Sequence, residues 1–396
     1  MSDRPWQNAP SATSSLDDVA RVKLDALQRR KLRRRLVETD RFSAVGARQA
    51  DFELVSFSCN DYLGLSHHPA VITASIEATR RYGAGAGASR LVTGNHPLYA
   101  ELERKLALLK GSEDAIVFGS GYLTNIGVIP ALVGRSDLIM IDELCHSCLL
   151  AGAQLSGARV LKFRHNDTEH ANHLLNQHRE QHRHCLIATD GVFSMDGDLA
   201  PLPELAELAR RYGAWLLSDD AHGLGVVGEG RGSSFAAATA VEVPLQMGTL
   251  SKAAGGYGGY VCCSRPVGDF LRNRARSLVY STGLPPGVVA ASSRALEIIA
   301  ADRDLVRRPL ARATQFTSAL NLEPARSPIV SIVFGAAQRA LDASAALRAS
   351  GFLVAAIRPP TVPPGTSRLR FTFSAEHSER QVTALANAVR PLLSEE

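Results

Sequence analysis

Aromatic residues make up only 6% of this 396-residue chain, and no basic stretch is interleaved with them. A surface that stacks bases needs that interleaving, so a nucleic-acid partner is not expected. Charge of neither sign dominates: 44 Lys and Arg stand against 39 Asp and Glu, a formal +5 at pH 7. The mild excess favours acidic partners such as phosphates, CoA or an acidic carrier protein. Cysteine is sparse as well. Cys59, Cys145, Cys148, Cys185, Cys262 and Cys263 make no disulfide framework in a chain of this size, which suits reduced thiols in the cytoplasm. Cys145-His146-Ser147-Cys148 has a zinc-like spacing, but no second pair of that spacing completes a tetrahedral set, so no metal is expected. Eighteen apolar residues never run together, and residues 1–15 lack an apolar core; neither a membrane span nor an export signal is expected.

The composition that remains, 45% apolar and 21% charged, is that of a globular chain long enough for two or three domains. Residues 1–15 are rich in Ser, Pro and Asn and read as a frayed tail. Residues 16–36 predict a charged amphipathic helix ending in Arg29-Arg30-Lys31-Leu32-Arg33-Arg34-Arg35, whose basic face reads as solvated. No apolar strand leads into the glycine-rich Tyr82-Gly83-Ala84-Gly85-Ala86-Gly87-Ala88-Ser89-Arg90, so it is not a dinucleotide fingerprint; a helix over 97–109 follows it. Short apolar runs at 115–118, 138–141, 160–163, 185–188, 215–217 and 245–247 then alternate with helical stretches. Such alternation predicts a mostly parallel sheet covered on both faces. Beyond Tyr280-Ser281-Thr282-Gly283-Leu284-Pro285-Pro286 the chain turns to Ala- and Arg-rich helix, and 329–334 and 369–373 read as strands of a second, smaller sheet. The segment 165–184 holds six of the twelve histidines and reads as a solvated polar helix.

Chemistry concentrates after the apolar runs. Lys252 follows one of them within Gly248-Thr249-Leu250-Ser251-Lys252-Ala253-Ala254-Gly255-Gly256-Tyr257-Gly258-Gly259-Tyr260. A lysine at the end of a buried strand is partly desolvated, which lowers its pKa and suits it to a Schiff base with an aldehyde; a surface lysine on a glycine-rich turn is the plain alternative. About thirty residues upstream, the run ending at Ser218 delivers Asp219-Asp220-Ala221-His222 at what would be the carboxyl edge of the sheet, where open α/β sheets place ligands. A pyridine cofactor uses both side chains, a carboxylate for its ring nitrogen and a donor for its phenolic oxygen. Taken alone, Asp219 and His222 would also serve as a metal pair or a cap. Gly119-Ser120-Gly121-Tyr122 opens a helix after the run at 115–118, a natural phosphate site.

Together with Phe57-Ser58-Cys59-Asn60-Asp61-Tyr62-Leu63-Gly64-Leu65, Asp190-Gly191-Val192-Phe193-Ser194-Met195-Asp196-Gly197-Asp198 and Ile357-Arg358-Pro359-Pro360-Thr361-Val362-Pro363, these motifs resemble the α-oxoamine synthases among fold type I pyridoxal phosphate (PLP) enzymes, and within them the branch that serves biotin synthesis. Asp190 stands where relatives often carry Glu. The resemblance spans roughly residues 30–390 and implies an α/β, aspartate aminotransferase-like transferase, with a mostly parallel seven-stranded sheet in the large domain and a smaller α+β C-terminal domain. The expected division is 1–56 for an N-terminal tail and helix, 57–283 for the PLP-binding domain and 284–396 for the small domain.

The resemblance also implies roles. Lys252 would carry the Schiff base and move the Cα proton, Asp219 hold the ring nitrogen protonated, His222 meet the phenolic oxygen and His146 stack over the ring. Gly121 and Tyr122 would bind phosphate through their backbone and Thr249 through its hydroxyl, with Ser194 near the phenolic oxygen. Arg33 would hold the acyl substrate, Arg358 the amino acid carboxylate, and Thr361 would contact substrate. The implied reaction joins L-alanine to pimeloyl-CoA or a pimeloyl-carrier protein with loss of CO2 and free thiol, in a cytoplasmic homodimer whose 280–282 stretch reaches the partner's phosphate. Sister reactions use glycine with acetyl-CoA or succinyl-CoA, or serine with a long acyl-CoA. A catalytically silent scaffold has no need of Lys252, Asp219, His222, His146 and Arg358 together.

Overall fold

The computed structural model describes residues 15–393. Apart from Ser15, the tail expected over 1–15 lies outside them. Ser15 caps the first helix, accepting from the Asp18 N–H while Asp18 accepts from the Ser15 N–H, a reciprocal box. That helix, α1 (Leu16–Arg29), stops well short of residue 36. Lys31 has a φ of +56°, which is not helical, and its carbonyl accepts from Arg358 Nη1 at 2.5 Å.

A hairpin of β1 (Gly46–Gln49) and β2 (Phe52–Ser56) precedes α2 (Pro69–Tyr82) and α3 (Leu98–Lys110), the latter within a residue of its expected span. The large sheet then accumulates in order: β3 (Asp114–Phe118), α4 (Gly121–Leu132), β4 (Leu138–Asp142), α5 (Ser147–Ser156), β5 (Arg159–Phe163), α6 (Thr168–His178), β6 (Cys185–Asp190), α7 (Leu202–Arg211), β7 (Trp215–Asp219), β8 (Leu245–Thr249) and β9 (Gly259–Cys263). Its strands lie in the order β3-β9-β8-β7-β6-β4-β5. All neighbours pair in parallel except β9, which runs antiparallel to both β3 and β8. β4, β6, β8 and β9 are buried at every residue, which is why the first three read as apolar runs instead of alternating ones. β9 was absent from the expected strands because its first residues continue the glycine-rich stretch after Lys252.

After α8 (Arg265–Arg274) and α9 (Arg276–Val279), α10 (Pro286–Ala301) packs on α2 and α3, burying Val289, Ala295, Leu296 and Ile299 in the core of the large sheet's near face. The remaining elements are α11 (Arg303–Ala319), β10 (Ile329–Gly335), α12 (Ala337–Ala349), β11 (Phe352–Leu353), β12 (Ala355–Ile357), β13 (Ser367–Thr372) and α13 (Glu379–Leu393). They build the smaller sheet, β10-β13-β12, all antiparallel, over a core in which Phe316 lies 4.9 Å from Phe371 and 5.2 Å from Phe373. β2 pairs in parallel with β11, Val55 opposite Phe352, and so ties the N-terminal hairpin to this C-terminal part.

Two charged clusters hold the loops at the carboxyl edge of the large sheet. Lys110, fully buried at the end of α3, donates to Asp220 Oδ2 (2.8 Å) and to the Arg231 carbonyl (2.5 Å). Asp220 also accepts from the Ser233 N–H, and a Cβ on Gly232 (φ +106°) would come 1.6 Å from its Oδ2, so the turn needs glycine there. His165 departs from the solvated reading of its segment: Nδ1 meets Asp142 Oδ1 at 3.1 Å and Nε2 meets Asp198 Oδ2 at 2.8 Å. His184 also departs, stacking 5.0 Å from Trp215.

Replacing Lys110 by Ala strands a buried carboxylate, and chemical denaturation should show an apparent stability loss of about 3–5 kcal/mol. For His165, burial alone would lower the pKa, but the hydrogen bonds of Asp142 and Asp198 raise it to about 10 from 6.5. A raised folded-state pKa gives stability that is complete below pH 6.5 and fades as pH climbs through about 10. The stability difference between wild type and His165→Gln should therefore be largest near pH 6 and shrink steadily toward pH 10, read from denaturation midpoints.

Candidate active site

The carboxyl ends of β3, β4, β6, β7 and β8 each deliver polar residues to one place. Gly121, Tyr122, His146, Cys148, Asp190, Asp219, His222, Thr249 and Lys252 line a single cavity there. Two larger cavities lie elsewhere: one of about 650 Å³ sits at the opposite end of the same strands, and one of about 620 Å³ is walled by arginines. Neither collects buried ionisable groups of both signs; the smaller cavity does.

Asp219 ends β7 and is buried at 4% exposure. Its Oδ1 accepts from the Ala221 N–H (3.0 Å) and its Oδ2 from Asn125 Nδ2 (2.8 Å), a side chain inside the buried face of α4. Asp190 ends β6 at the register position beside Asp219 and accepts from the His146 N–H at 3.0 Å. Burial first, and then the Asp219 carboxylate, push the Asp190 carboxyl well above its ordinary range. His146 caps α5, its Nδ1 accepting from the Cys148 N–H. Burial chiefly, and Lys252 as well, lower its pKa against the pull of Asp219, so the ring is neutral at pH 7.

His222 is buried, and its Nδ1 lies 2.7 Å from the Tyr62 hydroxyl. Burial and the cations Lys252 and Arg370 hold it far below 6.5. Lys252 itself is pushed down to about 8 from 10.5, mainly by burial, with Asp219 and Asp190 opposing. Half of it is a free amine at that pH, where an ordinary lysine is almost wholly charged.

Ser120 caps α4 through the Leu123 N–H, and the first-turn N–H groups of Gly121 and Tyr122 have no carbonyl to meet within the helix. Gly121 lies against β8, where an added Cβ would come 3.2 Å from Met247 Cε and 3.5 Å from Thr249 Cβ. The Thr249 hydroxyl donates to the Gly258 carbonyl (2.7 Å) and accepts from the Ser251 N–H, which fixes the loop carrying Lys252.

The remaining expected residues stand apart from this cavity. Ser194 is held by its carbonyl, which accepts from Arg370 Nε at 2.5 Å. Arg33, Arg358 and Thr361 line the arginine-walled cavity together with Arg34 and Arg35. There Arg358 binds the Lys31 carbonyl, and Arg34 Nη2 donates to Thr361 Oγ1 at 2.7 Å. Conversely, Asn125, Cys148 and Tyr62 reach the cavity residues without having been singled out. Asn125 and Cys148 sit inside helical stretches, and nothing in a linear pattern links Asn125 to a carboxylate 94 residues away.

The donor set fits a phosphorylated pyridine aldehyde: an amine of lowered pKa, a braced buried carboxylate, two neutral imidazoles and an open helix N-terminus. Comparison with known proteins agrees. The model of the family described as aminotransferase class I and II matches residues 53–389. An 8-amino-7-oxononanoate synthase from Beijerinckia indica is 57% identical over 380 residues, 96% of this chain and 98% of its own. Among solved structures, a serine palmitoyltransferase from S. paucimobilis with bound PLP–myriocin aldimine shares 28% identity at a TM-score of 0.88, covering 95% of this chain and 98% of that one. An 8-amino-7-oxononanoate synthase from Francisella tularensis shares 25% identity at a TM-score of 0.73, covering 86% and 98%. The chain therefore belongs to the class I and II aminotransferase family, in the α-oxoamine synthase branch of its 8-amino-7-oxononanoate synthase relatives, and is a pyridoxal-phosphate-dependent acyltransferase.

Proposed function

We propose that the enzyme condenses L-alanine with a pimeloyl thioester, carried on CoA or on a carrier protein, to give 8-amino-7-oxononanoate, CO2 and free thiol for biotin synthesis. The observation that carries the chemistry is the meeting of Lys252, Asp219, His222 and His146 at one strand-end cavity. The choice of alanine and pimeloyl rests on the relatives' names and on the Arg358 loop. Pyridoxal phosphate, when bound, supplies an aldehyde for amines and a protonated ring that takes up an electron pair from Cα.

The chain's own residues do the rest. Lys252 Nζ, desolvated and partly neutral, would be the amine that holds the cofactor's aldehyde, and as a free amine it would take the Cα proton and return one to the same carbon. Asp219, held by Asn125 and the Ala221 N–H, keeps a proton on the ring nitrogen. His222 would donate to the cofactor's phenolic oxygen and neutral His146 would contact its ring in the same cavity, whereas Ser194 does not line that cavity and would meet the oxygen only if its loop moved inward. The N–H groups of Gly121 and Tyr122 would hold the phosphate, and the Thr249 hydroxyl would join them by turning its proton away from the Gly258 carbonyl. Loss of the Cα proton lets Cα bond to the thioester carbonyl, the C–S bond breaks, and the thiolate leaves with a proton. The Cα–carboxylate bond then breaks, releasing CO2, and Cα is reprotonated.

The role the resemblance gives Arg358, binding the alanine carboxylate through the N–H donors that Lys31 does not use, would require the 358 loop to move from the arginine-walled space toward Lys252, while Arg33 and Thr361 would receive the acyl donor in that space. A homodimer is supported by exposed Tyr280, Leu91 and Val92 beside the Ser89–Thr282 bridge, which places an apolar surface where the 280–282 stretch would meet a second copy. A reducing cytoplasm suits the six free cysteines.

Titrating the PLP-loaded enzyme separately with L-alanine, glycine and L-serine, then adding pimeloyl-CoA, tests the reading. L-alanine should perturb the visible band and pimeloyl-CoA should then release free thiol; a response to glycine or serine alone would move the assignment to a sister reaction. The lowered pKa of Lys252 makes a second prediction. The rate at which cofactor-free enzyme captures PLP should rise as Lys252 loses its proton, through a midpoint near pH 8, and level off above it. Lys252→Ala should abolish that phase.

A further inference from the structure

Tyr62, in the Cys59-Asn60-Asp61-Tyr62 stretch, has no part in the reaction as described above, yet it is 1% exposed and its hydroxyl lies 2.7 Å from His222 Nδ1. That hydroxyl has one proton and two acceptors within reach. The second, Asn60 Oδ1, is farther at 3.3 Å and already receives both Nη1 and Nη2 of Arg370, each at 3.2 Å. A carbonyl oxygen has two lone pairs, and the guanidinium occupies them. The proton therefore goes to the shorter contact. Burial pushes the Tyr62 phenol up to about 12, so the proton is there to give at any working pH.

His222 has one N–H to place. The ionisable groups facing it, Lys252, Arg370 and His146, disfavour a positive charge, and burial disfavours it more. In a neutral imidazole the partner of one nitrogen decides which nitrogen carries the hydrogen. We propose that Tyr62 donates to His222 Nδ1 and thereby fixes His222 as its Nε2–H form, so that a donor and not a lone pair is offered to the cofactor's phenolic oxygen. Tyr62 is thus a positioning residue for the reaction, and the inference rests on the reading of His222 as a contact of that oxygen. The opposite tautomer would set a lone pair against an oxygen lone pair. Tyr62 is itself held from the small domain's side: the Ala375 N–H donates to its carbonyl at 2.7 Å, and Arg370 of β13 saturates the competing acceptor.

The test is nitrogen-15 NMR of the holoenzyme labelled at histidine, with His222 assigned by its absence in His222→Gln. The expected result is a protonated Nε2 and a bare Nδ1 in wild type, and a mixed or reversed pattern in Tyr62→Phe. In parallel, the pH midpoint of the bound cofactor's visible band should rise by about one unit in Tyr62→Phe, because a phenolic oxygen without its donor holds a shared proton more tightly. A merely structural Tyr62 would lower thermal stability and leave the tautomer and midpoint in place, which overturns the inference. So would an Nδ1–H form in wild type, a result that needs no variant to fold. If His222→Leu, which has no donor, leaves the midpoint at its wild-type value, the reading of His222 as a cofactor contact fails, while the tautomer pattern still decides the role of Tyr62.

Discussion

The buried ion pair of Lys110 and Asp220 is the constraint from which the site takes its shape. Adjacent residues at the end of a strand point to opposite sides, so Asp219 and Asp220 cannot serve the same ligand. Asp219 faces the cavity, and Asp220 faces the core, where it is 2% exposed and would be untenable as a lone anion. Lys110 Nζ and the Ser233 N–H neutralise and bond it, and the glycines at 223 and 232 let the backbone come close enough. With Asp220 anchored inward, the turn from Asp219 to His222 has one arrangement, and both residues face the space beside Lys252.

Within that space the electrostatics sort themselves by the number of partners. Asp219 and Asp190 stand side by side at paired register positions, and two anions there would repel strongly. Asp219 has three hydrogen-bond donors aimed at it, Asn125 Nδ2, the Ala221 N–H and the Cys148 thiol, whereas Asp190 has the His146 N–H alone, and it is Asp190 whose carboxyl is driven toward the neutral form. Lys252 feels both, but burial outweighs their attraction and its amine is released near pH 8. A site that needs one charged acid, one available amine and two uncharged imidazoles obtains all of them from burial plus unequal hydrogen bonding.

The residues that the sequence brought to the cavity share one feature: Lys252, Asp219, His146, Thr249 and Gly121 all lie within five residues of the end of an apolar run, so the strand that delivers each is visible nearby. The parallel core of the fold was legible for the same reason. What stayed hidden is what depends on packing between distant segments. Asn125 lies inside an apolar helix with no polar pattern around it, and Tyr62 meets His222 across 160 residues. The end of α1 at Arg29 was illegible because Lys31 takes a left-handed φ that no Gly or Asn announces, and β9 because glycines mask its start. Arg33, Arg358 and Thr361 could be chosen by motif, but their separate cavity is a property of the small sheet that no local pattern records.

That small sheet links the two cavities through its arginines. In β12 and β13, Ala355 pairs with Arg370 and Ile357 with Arg368, one residue before the chain reaches Arg358. Arg370 reaches out of the sheet to Asn60 and the Ser194 carbonyl, and Arg368 binds Asp196, so both buried guanidiniums grip loops that border the lysine cavity. Guanidiniums at 6% exposure persist only where such acceptors are fixed, so these contacts act as struts of set length. The same two strands that carry Arg358 therefore hold the 58–62 and 194–196 segments. Any displacement of the small sheet relative to the large one shifts the arginine-walled space, the Ser194 loop and the Asn60–Tyr62 pair together, and Tyr62 carries that coupling to His222 in the lysine cavity.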